Sequence, residues 1–122
     1  MTPGNQQKLM IVDDHADFRA IARKLLEDAG YSVVAEAGDA ASALSAASRV
    51  KPDLVLLDVV LPGLDGFAVC EQLTQTHPTA RVVLTSSADR SRYTRRLASS
   101  RARGFLAKQH FSAAAFTALI DK

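Results

Sequence analysis

Several things are scarce in this sequence, and each scarcity closes off a class. Cys70 is the single cysteine, so no internal disulfide forms and the chain suits a reducing compartment. No apolar run approaches the ~18 residues of a membrane-spanning helix, although hydrophobic residues make up 48% of the chain. Residues 1–7 lack the basic and apolar regions of a secretory signal and contain Pro3-Gly4. They are expected to be a flexible start to a cytoplasmic protein. No internal repeat, low-complexity tract or linker divides the 122 residues, a length that suits one domain with a real core. Acid is missing from one stretch: Arg90 to Arg103 holds six arginines and no Asp or Glu. Residues 1–80 carry 6 Lys and Arg against 11 Asp and Glu, whereas residues 81–122 carry 9 against 2. That split implies an acidic site built from the first half and a basic face built from the second.

What is present is a regular alternation of strand and helix signals. Leu54 to Leu57, an apolar run between Pro52 and Pro62, reads as a strand buried on both faces and therefore central in a parallel sheet. Leu9 to Val12 reads the same way. Phe18, Ile21, Ala22, Leu25, Leu26 and Ala29 form one helical stripe, with Gly30 as its stop. Val33 to Ala35 is a short strand, and Asp39 is placed to cap an Ala-rich helix. Phe67, Cys70 and Leu73 mark a helix ending before His77-Pro78. Arg81 to Leu84 is a fourth strand and Phe105 to Ala107 a fifth. Between them, Asp89 to Ser100 has a helical stripe of only Tyr93 and Leu97. Ser112 caps a last helix, with Phe111 and Phe116 spaced as a hydrophobic staple. Five strands alternating with five helices imply an α/β fold, a parallel sheet with right-handed crossovers.

Every strand of a parallel sheet delivers its C-terminal end to the same edge, where sites in open α/β sheets lie. Strand one brings Asp13 and Asp14, strand three brings Asp58, strand four brings hydroxyls with Ser86 among them, and strand five brings Lys108. Three carboxylates in one pocket repel each other, which raises their pKa values or demands a cation. Lys108 supplies one charge, and a hard, oxygen-seeking ion such as Mg²⁺ supplies the rest. A hydroxyl and an ammonium facing a carboxylate suit the oxygens of a transferring phosphoryl group, with Asp58 as nucleophile. Each residue alone has a bland reading, since strand-end Asp and Ser are common turn formers. Their joint placement at four strand ends carries the weight.

In these motifs the chain resembles bacterial response-regulator receiver domains from end to end. Asp13-Asp14, Asp58, Ser86 and Lys108 stand in the family's order; its spacing selects Ser86 over Thr85, and Pro62, Gly66 and Phe105 also match. The Asp-Asp-His start and the Arg-Gly-Phe-Leu-Ala-Lys segment are most similar to receivers of LuxR-type regulators. The resemblance implies a flavodoxin-like (βα)5 doubly wound sheet of order 2-1-3-4-5, spanning residues 8–122. It implies that Asp58 accepts a phosphoryl group from a histidine kinase or phosphotransfer protein. Asp14, Asp58 and the Val60 carbonyl would bind Mg²⁺ directly, Asp13 through water, and Lys108 would contact the phosphoryl oxygens. Ser86 would swing toward those oxygens while Phe105 changes rotamer, altering the face around helix four, strand five and helix five. A C-terminal DNA-binding output domain, absent from this chain, is a further implication.

Three positions depart from the family. Gln109 follows Lys108 where many relatives have a cis proline; a non-proline cis bond costs ~2.5–4 kcal/mol, which favours a trans bond and a shifted loop. Arg101 replaces the usual Gly, straining a left-handed helix stop. Val60 offers no side chain to orient a hydrolytic water. Cys70 reads as a core thiol, His15 as a solvated side chain, and His77 and His110 as helix edges. The arginines of Arg90 to Arg103 read either as a solvated face or as a docking face for an acidic partner, a second copy or a neighbouring domain; direct nucleic-acid binding lacks a helix-turn-helix once the βα units are assigned. Competing functions lack their signatures. A phosphohydrolase with an aspartyl nucleophile would show Asp-x-Asp after strand one. A flavodoxin-type cofactor binder would have a Ser/Thr/Gly-rich loop there, and Asp13-Asp14 would repel the phosphate. A pseudo-receiver that binds partners without phosphorylation would not need the complete acidic set, but the altered stretch between helix four and strand five keeps that alternative open.

Overall fold

The structure, a computed structural model, describes residues 7–121; the expected flexible start falls almost wholly outside them. Five parallel strands, β1 (Lys8–Val12), β2 (Ser32–Ala37), β3 (Leu54–Asp58), β4 (Arg81–Ser86) and β5 (Gly104–Ala107), form one sheet of order β2-β1-β3-β4-β5. The helices are α1 (Ala16–Asp28), α2 (Ala40–Val50), α3 (Gly66–Thr76), α4 (Thr94–Ser99) and α5 (Ala113–Ile120). β3 is central and buried at every position, so its continuous apolar run is the chain's answer to having helices on both faces.

Alternation along the strands sorts the core into two layers. Met10, Val12, Val55, Leu57, Val82 and Leu84 pack with α2 and α3, whereas Leu9, Ile11, Leu54, Leu56 and Val83 pack with α1 and α5. The face of α2 toward the sheet is Ala40, Ala43, Ala46 and Ala47; such small side chains let a helix lie close to the strands. α1 differs from its sequence pattern. Ala22 and Leu26 are buried, but Ile21 is 58% and Leu25 40% exposed. A six-position stripe is wider than the strip this helix presents to the sheet, so its flank stays in solvent.

The helix ends follow local chemistry. Asp39, Asp65 and Ser112 accept N–H bonds from Ser42, Ala68 and Ala115 at the starts of α2, α3 and α5. Gly30 stands at φ 101° after α1. Phe111 packs edge-on against Phe18, and Phe116 against Tyr31; the two rings expected as a staple therefore bind α5 and the residues before it to α1 and to the turn between α1 and β2.

The segment Asp89 to Ser100 is broken rather than one helix. A 3₁₀ turn at Arg90–Tyr93 leads into α4, which has only six residues. α4 ends at Ser100 in an extended conformation (φ −87°, ψ 164°), and Lys51 alone among described non-glycine residues has positive φ. Arg101 therefore bears no left-handed strain: the helix stops early without needing a glycine. No described peptide bond is cis, and Lys108–His110 form a 3₁₀ turn.

Candidate functional site

Asp13, Asp14, Asp58 and Lys108 meet at the C-terminal edge of the sheet. β1 and β3 are adjacent and in register to Val12 and Leu57, so the next residues, Asp13 and Asp58, emerge side by side. Both are almost fully buried. Lys108 Nζ lies 2.7 Å from Asp13 Oδ2 and 3.1 Å from Asp58 Oδ2, bridging the pair from the end of β5. Asp58 Oδ1 accepts the Val60 N–H at 3.1 Å, and Asp13 Oδ1 accepts the His15 N–H at 2.8 Å. The Asp13 carbonyl accepts from Arg19, which fixes the loop that carries Asp14.

The electrostatics of the site are unbalanced. Burial pushes the Asp58 carboxyl above its ordinary range, and neighbouring Asp13 adds to this; the Val60 N–H and Lys108 oppose it. For Lys108 burial acts downward, but hydrogen bonding and charge from Asp13 and Asp58 hold its ammonium above the usual lysine value. One lysine thus pairs with Asp13 and Asp58, and Asp14 adds a third carboxylate to the same cluster. Asp13 Oδ2 is buried with no hydrogen bond of good geometry, its compensation being the Lys108 ion pair. Such a donor set fits a hard divalent cation, which takes carboxylate oxygens and satisfies the remaining charge.

Ser86 and Val60 line the same cavity as Asp58, about 320 Å³ in volume, together with Arg92 and Tyr93. The Ser86 hydroxyl accepts the Ala88 N–H at 3.0 Å and shares a hydrogen bond of 3.2 Å with Tyr93 Oη. Its neighbour Thr85 points elsewhere, donating to the Leu106 carbonyl of β5. Phe105 is not in the cavity. Its ring is buried against Tyr93 at 5.8 Å, and Tyr93 in turn lies 5.8 Å from Phe67.

Two residues carry more than their sequence pattern suggested. His15, expected in solvent, is 63% exposed yet holds Nδ1 3.1 Å from carboxylate oxygens of both Asp13 and Asp14. The available signal was its position directly after the acidic pair. Tyr93, legible only as an apolar stripe residue, joins Ser86 to the aromatic row. Arg96 also departs from expectation. It pairs with Asp65 and lies 4.2 Å over the Phe67 ring, so the arginine stretch is partly neutralised from within. Cys70 is buried and its thiol is pushed up to about 11 by burial, an inert core sulfur.

Fold and site together define a doubly wound α/β domain with a lysine-bridged carboxylate cluster at the carboxyl edge of its sheet. The chain belongs to the response regulator receiver domain family, whose model matches residues 9–121. It is 40% identical over 102 residues to the nitrate/nitrite response regulator protein NarP of Escherichia coli, covering 83% of this chain and 47% of that protein. It is 36% identical over 80 residues to the chemotaxis protein CheY of Listeria monocytogenes, 66% of this chain and 67% of that one. Among solved structures, a LuxR-family two-component response regulator from Aurantimonas sp. SI85-9A1 superposes with a TM-score of 0.84 at 31% identity, covering 95% of this chain and 83% of the other. The signal receiver domain of NarL from Mycobacterium tuberculosis gives 0.81 at 30% identity, covering 96% and 98%. The chain spans about half the length of NarP.

Proposed function

We propose that the domain is a phosphorylation-controlled switch in which Asp58 accepts a phosphoryl group from a histidine kinase or phosphotransfer protein. The observation that carries this reading is the Lys108 ammonium set between Asp13 and Asp58, 2.7 and 3.1 Å from their oxygens, at the end of the central strand. An Asp58 oxygen attacks phosphorus, the bond from phosphorus to the donor nitrogen breaks, and its electron pair stays with the departing imidazole. Lys108 meets the charge of the arriving phosphoryl oxygens. Asp58 Oδ1 is tethered by the Val60 N–H, which fixes the carboxylate for in-line approach. Asp13, Asp14, Asp58 and the Val60 carbonyl are the groups that would hold Mg²⁺, which when bound offsets the charge of carboxylates and phosphate. The protein promotes its own phosphorylation and dephosphorylation and acts on no separate substrate.

Ser86 is the hydroxyl that meets the phosphoryl group, and its movement is passed to Phe105 and the face of α4, β5 and α5. The outlet is an output domain or partner. A relative twice as long and a LuxR-family structure described as a DNA-binding response regulator from Staphylococcus aureus support a DNA-binding output domain joined to this one in the cytoplasm. Exposed Arg90, Arg92, Arg95 and Arg101 suit an acidic partner surface. The test is intact-mass spectrometry after acetyl phosphate and Mg²⁺: one added phosphate, about 80 Da, is expected in the wild type and none in Asp58→Ala. Undiminished labelling of Asp58→Ala would remove the assignment.

A further inference from the structure

Ser86 ends β4, is buried, and lines the cavity that Asp58 also lines. Its oxygen accepts the Ala88 N–H at 3.0 Å and stands 3.2 Å from Tyr93 Oη. Tyr93 comes from the 3₁₀ turn ahead of α4 and is buried as well. Its ring is held between Phe67 and Phe105, centre to centre 5.8 Å from each. A third phenylalanine would pack in that row equally well, so packing does not account for the hydroxyl. Ser86 is the one hydrogen-bond partner of the phenol among the described residues. A phenol has a proton to place, and orphaned buried donors are rarer in proteins than under-used acceptors. Tyr93 therefore donates to Ser86. With the Ala88 N–H and the Tyr93 O–H on its two lone pairs, the Ser86 hydroxyl meets any further partner as a donor.

We propose that Tyr93 is a positioning residue for phosphoryl capture, its hydroxyl committing Ser86 to donate toward the phosphoryl oxygens on Asp58. The inference rests on the proposed function for the acceptor and for the contact of Ser86, and it names the group that orients that contact. A serine free to rotate presents its lone pairs as readily as its proton, and lone pairs repel phosphoryl oxygens. A serine with both lone pairs engaged presents the proton alone, and a hydrogen bond to a charged oxygen is stronger than one between neutral groups. No bond to Ser86 or Tyr93 forms or breaks; Ser86 adds one hydrogen bond to an oxygen of the group that Asp58 receives. Thr85, one residue earlier, cannot take this part, because its hydroxyl is committed to the Leu106 carbonyl. The flanking rings lock the tyrosine, which is what a supporting group needs if it is to aim another side chain.

The experiment follows the rate at which acetyl phosphate with Mg²⁺ labels the whole chain, by intact mass, in wild type, Tyr93→Phe, Ser86→Ala and the double variant. Tyr93→Phe, which keeps the ring, is to slow labelling about fivefold, the worth of one net hydrogen bond. Ser86→Ala is to slow it about tenfold or more, and adding Tyr93→Phe to that variant is to change the rate about twofold or less. Ser86→Thr, which keeps the oxygen, is to restore the dependence on Tyr93. Matching amide spectra and equal Mg²⁺ affinity of wild type and Tyr93→Phe establish that the fold and the acidic cluster are intact. Equal slowing by Tyr93→Phe in the wild-type and Ser86→Ala backgrounds, or no slowing in the wild type, overturns the proposal while leaving Asp58 as acceptor. Undiminished labelling of Asp58→Ala, or none of the wild type, overturns the proposed function and this inference with it.

Discussion

Gly66 lets α3 lie close against the backbone that carries Asp58, and adding one methyl group there tests that approach. Gly66 opens α3, and its N–H donates to the Val59 carbonyl at 2.7 Å. A Cβ at this position would lie 2.2 Å from the Asp58 carbonyl oxygen, 2.7 Å from Val59 Cα and 2.9 Å from the Asp58 carbonyl carbon. All three are backbone atoms, and ordinary contact begins near 3.4 Å. Relief therefore needs a shift of about 1 Å in either α3 or the end of β3. β3 is held from the other side by the Val59 N–H bond to Thr85 at 2.9 Å. Overpacking of this kind costs roughly 1–3 kcal/mol or more, whereas helix propensity alone predicts a gain of up to ~1 kcal/mol for Ala over Gly. The net expectation for Gly66→Ala is a loss of about 2 kcal/mol, or about 8 °C in Tm at this chain length. Urea unfolding followed by circular dichroism measures it. Acetyl phosphate labelling should fall in parallel, because the displaced carbonyl belongs to Asp58 itself. Gly63 is the control. It has φ 89° and nothing within 4 Å of an added Cβ, so Gly63→Ala should cost about 1 kcal/mol through its left-handed backbone and leave labelling unchanged. A Gly66→Ala protein as stable as the wild type, or more so, would refute the close approach of α3 to the acceptor.

Four further outcomes are expected. Asp58→Asn should raise metal-free stability at pH 7 by roughly 1 kcal/mol, because burial lifts the Asp58 pKa above the ordinary aspartate value. A raised folded-state pKa contributes stability below the unfolded-state value and loses it as pH rises through the folded value, so the difference between variant and wild type should vanish on acidification; a constant difference from pH 3 to pH 7 would contradict this. Asp14→Asn should weaken Mg²⁺ binding about tenfold by amide-signal titration near Asp58 and Val60, and unchanged affinity would show that Asp14 stands outside the ion's reach. Tyr93→Phe should cost about 1 kcal/mol in wild type but far less in a Ser86→Ala background, since the lost partner is the Ser86 hydroxyl; equal losses in both would place the tyrosine's contribution elsewhere. Phosphorylation should alter association through the arginine face, with acidic partners preferred over a second copy. That association should weaken as salt shortens the screening length from ~10 Å at 0.1 M to ~3 Å at 1 M; sedimentation with Arg95→Glu checks it, and strong, salt-insensitive self-association would reduce the arginines to a solvated surface.

The sheet and the gathering of charge at one edge were legible in the chain. Apolar runs of four residues, Leu9 to Val12 and Leu54 to Leu57, have one physical outcome when helical stripes separate them: central parallel strands. A parallel sheet then brings every strand's next residue to the same side. Asp13, Asp58 and Lys108 could be assembled from chain order alone because topology, not side-chain detail, places them. Helix starts at Asp39 and Ser112 were legible for a similar reason, since capping is local.

Packing between distant elements was not legible. Periodicity marks Ile21 and Leu25 as apolar without revealing that the sheet and α5 leave room for little more than Ala22 and Leu26. The substitution at Arg101 looked strained because it assumed a helix reaching that far, and α4 stops at Ser99. An acid-free run of arginines looked uncompensated because Asp65, 31 positions before Arg96, comes beside it only when α3 and α4 fold together. His15 is the sharpest case. Sequence places it one residue past Asp14, but the direction of its ring depends on backbone angles at the start of α1 and on the approach of Lys108 from a strand 93 positions away. Local pattern fixes which residues reach the edge; the three-dimensional crowding there decides which of their atoms face one another.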